Sequence, residues 1–139
     1  MIIFLSAMVL FGGSKADRAI DAAPIMYEEA TAAGVDPYLV AAVGWVESRW
    51  NPRVRSNTND CGIMQINLKF SKFTCGQLFE LRTNIKSGVR IIKYWQKRHG
   101  EDFLCHYNSG NKCYRRSRNY AKKVRKVMRQ LKGFIHGKG

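Results

Sequence analysis

Helical patterning runs through most of this chain and lapses once, between Trp50 and Thr83, so the fold must be a set of helices built around one irregular segment. Ala19 to Ala33 is rich in alanine with Glu28 and Glu29, a strong helix former that Gly34 can terminate. Asp36 and Pro37 then supply an N-cap and a proline at the first helical position, which opens a second helix through Glu47 and Ser48. On it Leu39, Val43 and Val46 share a face, and Val40, Val43 and Glu47 follow at helical spacing, so Glu47 lies beside the apolar stripe. Asn51, Pro52, Ser56, Asn57, Asn59, Asp60 and Gly62 then break the period, and Gly62 to Asn67 is short enough for a strand or a tight turn. Helix resumes near Asn84, with Ile85, Val89, Ile92 and Trp95 on one face, and stops at His99 and Gly100. A last helix turns Tyr120, Val124, Val127, Met128 and Leu131 inward, and the glycine-bearing basic tail after Leu131 is expected to fray.

A chain of 139 residues has room for one domain with one core. Its first residues, Met1 to Gly13, form an apolar run too short to span a bilayer. With small residues at Ser14 and Ala16 the run reads as a leader over 1–16, ahead of a domain over 17–139, and points to export. Four cysteines, an even set, then read as disulfides. Three pairings exist; Cys61 with Cys75 and Cys105 with Cys113 is favoured because each closes a short loop in a polar, turn-rich segment. A zinc site is disfavoured, since no two cysteines have just two residues between them and His99, His106 and His136 lack ligand spacing, so neither metal nor cofactor is expected.

The 24 Lys and Arg against 10 Asp and Glu give a net charge of +14, which favours polyanions: nucleic acid, anionic lipid or an acidic wall polymer. The same imbalance leaves few carboxylates for catalysis. Glu47 stands out because a carboxyl partly removed from water holds its proton and can donate it to a glycosidic oxygen. Trp45, Trp50 and Trp95 offer faces for sugar rings, although Trp45 and Trp95 fit core packing equally well, and Gln65, Asn67 and Asn108 could bind hydroxyl or N-acetyl groups.

Three segments occur in order: Glu47 and Ser48 followed by Asn51 and Pro52; Gly62, Ile63, Met64 and Gln65; and Tyr107, Asn108 and Gly110, with Tyr120 downstream on a helix. In this combination the chain resembles the lytic transglycosylases of the soluble-lysozyme-like type, related in fold to goose-type lysozyme, over roughly Ala32 to Met128. The resemblance implies a mainly α, lysozyme-like domain with a small β-hairpin or irregular central segment. It implies Glu47 as acid and base, Ser48 and Gln65 orienting it or the substrate, Tyr107 lining the reacting subsite, Met64 packed behind, and Asn108 and Tyr120 completing the substrate side. His106 stands where the family usually has alanine, and Ile63 where leucine is commoner; His106 is expected to be an exposed or hydrogen-bonded loop residue.

The implied reaction cleaves the glycan strands of peptidoglycan without water and leaves 1,6-anhydromuramic ends. Two rivals remain. One is hydrolysis, with Asp60 positioning water, although Asp60 also reads as an ordinary loop residue. The other is a noncatalytic binder of wall polymer or nucleic acid through the basic helix from Ser117 to Lys132, for which export and the lack of a nucleic-acid motif argue against nucleic acid. A monomer is expected, and the short length suggests delivery by a larger phage, conjugation or secretion assembly.

Overall fold

The computed structural model describes residues 1–136, and among them helix dominates. The order is α1 (Ile2–Gly12), α2 (Ala16–Ala33), α3 (Pro37–Ser48), β1 (Asp60–Cys61), β2 (Ile66–Asn67), α4 (Cys75–Leu78), α5 (Leu81–His99), α6 (Phe103–Ser109) and α7 (Arg115–Gly133). Local signals set several boundaries. Gly34 ends α2 in the left-handed conformation at φ 70°, and Asp36 Oδ1 accepts the Tyr38 N–H at 2.9 Å to cap α3. Glu80 caps α5 through the Arg82 and Thr83 amides, so that helix begins at Leu81, a turn earlier than apolar periodicity alone indicates. The tail after Leu131 continues as helix to Gly133 and a further turn over Phe134–His136, and the remainder of it lies outside the described residues.

The apolar segment at the start is α1, which packs on α2, α3 and α7 with Phe4, Ala7 and Met8 buried. Phe4 meets Tyr38 edge-on at 5.1 Å between centroids, and Phe11 meets Trp45 edge-on at 5.0 Å. Tyr107 and Asn108 lie on a short helix, α6, rather than in a loop, and His106 is buried there with Nδ1 2.7 Å from the Gly110 carbonyl oxygen. The expectation of a loop histidine is therefore corrected: the stacked rings of His99, at 3.5 Å, and Trp95, at 5.4 Å, cover it.

The central segment is the part that positions the site. Strands β1 and β2 form an antiparallel hairpin, Asp60 opposite Asn67 and Cys61 opposite Ile66, joined by a turn over 62–65. Disulfides join Cys61 to Cys75 and Cys105 to Cys113, the expected pairing, each with Cα atoms 5.5 Å apart. The first ties β1 to α4. Inside the turn lies Asn84, a fully buried residue of α5. Its Nδ2 donates to the Cys61 and Leu78 carbonyls, each at 2.8 Å, and its Oδ1 accepts the Met64 N–H at 2.8 Å. Gly62, at φ 80°, lies so close that a Cβ there would stand 2.1 Å from Asn84 Nδ2. Gly88 of α5 likewise gives Met64 its place, since a Cβ there would come within 2.8 Å of the Met64 methyl.

Asn84→Ala would strand three buried polar partners at once, so it should lower unfolding free energy by about 3 kcal/mol or more in urea titrations of the oxidised chain. A loss under about 1 kcal/mol would show that the turn does not depend on this side chain.

Candidate active site

Glu47 occupies the last turn of α3, where the chain leaves the helix through Arg49 and Trp50, both with positive φ. Trp50 is fully buried and its indole N–H donates to the Ala41 carbonyl at 2.8 Å, which folds the departing chain back onto α3. Ser48 Oγ donates toward the Ile63 carbonyl at 2.7 Å and accepts the Asn51 N–H at 3.1 Å, so it clamps the end of α3 to the central turn. From the opposite side α7 brings Tyr120, whose hydroxyl donates to Glu47 Oε2 at 2.7 Å. That bond joins residues 73 apart in sequence, and no protein donor reaches the other carboxyl oxygen among the described residues.

Burial pushes the Glu47 pKa up to about 7. The Tyr120 hydrogen bond pulls the other way, and the negative charge of Asp60 adds a lesser upward push. Burial also raises both Tyr107 and Tyr120 well above the usual phenol range, so both remain hydrogen-bond donors. A group of this kind is protonated often enough near neutrality to act as an acid, and it ionises easily enough to act afterwards as a base. It borders a cleft of about 660 Å³ lined by Val46, Asn108, Asn119 and Tyr120, with Arg115, Arg116 and Lys123 along one wall. The size suits a saccharide.

The family model for the transglycosylase SLT domain matches residues 24–128, which include α3, the central turn, α6 and most of α7. The chain belongs to that family. Two solved structures share the fold of this SLT domain. One is a 70-kDa soluble lytic transglycosylase in complex with bulgecin A, at 19% identity and TM-score 0.61, covering 84% of this chain and 22% of that one. The other is the 70-kDa soluble lytic transglycosylase from Escherichia coli, at 21% identity and TM-score 0.58, covering 84% and 21% respectively. The SLT domain thus spans about a fifth of each of those chains. No curated protein matches it.

Within the SLT domain the residues singled out by sequence divide into two groups. Glu47, Asn108 and Tyr120 line the cleft. Ser48, Met64, Gln65 and Tyr107 form its support. Gln65 Nε2 donates to the Val54 and Gly62 carbonyls, at 3.0 and 2.9 Å, and holds its own turn at φ 51°. Tyr107 Oη donates to the Met64 carbonyl at 3.3 Å. Met64 lies behind the cleft, its side chain fully buried between α3 and α5, and so supports the turn rather than meeting substrate. The tryptophans are corrected as sugar platforms. None lines the cleft; Trp50 packs edge-on against Trp45 at 4.9 Å, and Trp95 lies against Tyr94 and the histidines. Asn67 is spent on the hairpin, donating to Asp60 Oδ1 at 2.9 Å and to the Thr58 carbonyl at 3.0 Å.

Sequence reading missed Asn119, Arg115, Arg116 and Lys123 as cleft residues. The available signal was their spacing from Tyr120, since positions 116, 119, 120 and 123 fall on one helix face. Among the described residues, the metal-capable cluster is Cys105, His106 and Cys113, and its two sulfurs are joined to each other.

The raised Glu47 pKa has a consequence for stability. Between the ordinary value of 4.5 and about 7 the unfolded chain releases a proton that the folded chain keeps, so stability falls as pH rises through this window. Glu47→Gln removes the cost of burying the charge. Compared with the parent, this variant should gain about 2 to 3 kcal/mol in stability between pH 4 and pH 8, measured by denaturant unfolding at each pH. An equal difference at both pH values would mean that Glu47 ionises normally in the fold.

Proposed function

We propose that this chain is a lytic transglycosylase of peptidoglycan, cleaving the β-1,4 bond between N-acetylmuramic acid and N-acetylglucosamine without water. The observation that carries this reading is a single buried carboxyl on the cleft, held by a tyrosine and raised to a pKa of about 7. Family membership supports it.

In this mechanism protonated Glu47 gives its proton to the glycosidic oxygen as the bond to the muramic C1 breaks. The positive charge developing at C1 is met by the carbonyl oxygen of the substrate's own N-acetyl group. Glu47, now a carboxylate, takes the proton of the muramic 6-hydroxyl, whose oxygen bonds to C1. The proton returns to Glu47, no water is consumed, and a 1,6-anhydro end results. Tyr120 holds Oε2 throughout and leaves Oε1 for the proton transfers. Asn108 serves as a polar contact for the sugar from the α6 side, while Ser48, Gln65 and Tyr107 keep the carboxyl and the central turn in register.

Hydrolysis with Asp60 is disfavoured on two counts. Asp60 does not line the cleft, and both of its carboxyl oxygens already accept protein hydrogen bonds, Oδ2 from Ser56 at 2.7 Å and Thr58 at 2.5 Å, Oδ1 from Asn67 at 2.9 Å. The two disulfides fit an exported protein that works at the cell wall. Residues 1–16 as an export leader, a periplasmic or extracellular setting, a monomeric state and delivery by a larger phage, conjugation or secretion assembly complete the reading.

Mass analysis of fragments released from purified peptidoglycan tests it. The oxidised chain should release anhydro ends, one water lighter than reducing ends. Glu47→Gln should lower the rate by at least about a hundred-fold. Asp60→Asn should still yield anhydro ends. Reducing ends from the parent would indicate hydrolysis instead, and a folded parent that releases nothing would indicate a binding protein.

A further inference from the structure

The cleft has a charged wall that acid-base chemistry on a neutral sugar does not need. Arg116 and Lys123 stand about one helical turn before and after Tyr120, roughly 5 Å along the axis in each direction, and Arg115 lies beside Arg116 at the start of α7. Tyr120 touches Glu47, so these cations flank the position where the scissile bond must lie.

None of the three has an internal counter-ion. Among the described residues the ion pairs are Arg82 with Glu28 and Glu29, and Lys132 with Asp36. Glu47 is the sole carboxyl lining the cleft, and at neutral pH it carries only part of a charge. Three like charges along one wall raise the local potential, and a bound anion would neutralise it. A polymer of neutral hexoses cannot do this. A strand whose muramyl units carry a lactyl carboxyl, free or extended by a peptide with carboxylates of its own, can.

We propose that Arg115, Arg116 and Lys123 form a subsite for carboxylates on the muramyl branch of the glycan strand. This deepens the proposed function and rests on it. The wall selects the muramic side of the strand beside Glu47, and with it the sugar whose 6-hydroxyl must close the anhydro ring.

Binding measured in the Glu47→Gln background, without turnover, tests the subsite. Three probes are used: glycan fragments bearing peptide, the same fragments stripped of peptide by an amidase so that the lactyl carboxyl is free, and chitooligosaccharide with no carboxylate. Adding Arg116→Gln and Lys123→Gln should weaken binding of carboxylate-bearing strands by about ten-fold and of chitooligosaccharide by no more than about two-fold. Loss confined to the peptide-bearing strand assigns the peptide carboxylates, and loss on both muramyl probes assigns the lactyl group. Lys126→Gln, an exposed α7 change outside the cleft, is the control for overall charge. Equal losses on all three probes, no loss on any, or the same selective loss from Lys126→Gln would overturn the subsite. Selective binding combined with a parent that makes no anhydro ends would leave the subsite standing and remove the transglycosylase reading.

Discussion

Asn84 carries no charge and lies outside the cleft, yet its three hydrogen bonds fix the central turn against which the end of α3 is held. A short turn with two-residue strands on either side cannot satisfy its own backbone or bury enough surface to be stable alone. The amide of Asn84 supplies both donors and an acceptor in one place, and the Cys61–Cys75 bond limits how far the hairpin can stray. Met64 is thereby lodged between α3 and α5, its carbonyl meets the Tyr107 hydroxyl, and Ser48 binds the neighbouring Ile63 carbonyl. Glu47 inherits its position from this chain of contacts.

Elements whose determinants are local could be read directly from sequence. The Gly34 terminus and the Asp36–Pro37 start need only neighbouring residues, and they lie where the sequence places them. The apolar stripes of α5 and α7 follow from periodicity, and the short-loop disulfide pairing is the one found. Elements that depend on distant partners were not legible. Nothing in the surroundings of Asn84 marks it as a buried hub, because Cys61, Met64 and Leu78 are brought to it by the fold. Apolar on all sides, α1 offers no amphipathic stripe to show which of its faces packs on α2, α3 and α7. Only seven residues long, α6 is too short for a helical period to stand out.

The candidate site shows the same division. Glu47 was legible because it adjoins an apolar stripe, whereas Tyr120 was singled out for the site through the family resemblance, its helical spacing marking only an inward face. What could not be read was which of the flanking residues face the cleft and which stand behind it. Met64 and the tryptophans are apolar and near the site in sequence, but the core claims them. Arg115 and Arg116, which the sequence reading did not single out, line the groove. In a chain with few acids and many bases, this carboxyl keeps its proton toward neutrality because burial outweighs the Tyr120 hydrogen bond.

The central claim is that the fold holds the Glu47 carboxyl neutral well above the usual carboxylate range, and titration of that one group by carboxyl-carbon NMR tests it most directly. The expected midpoint is about 7, moving higher in Tyr120→Phe as the hydrogen bond that favours the charged form is lost. A midpoint near the ordinary 4.5, unmoved by Tyr120→Phe, would contradict the claim and leave the cleft without its acid.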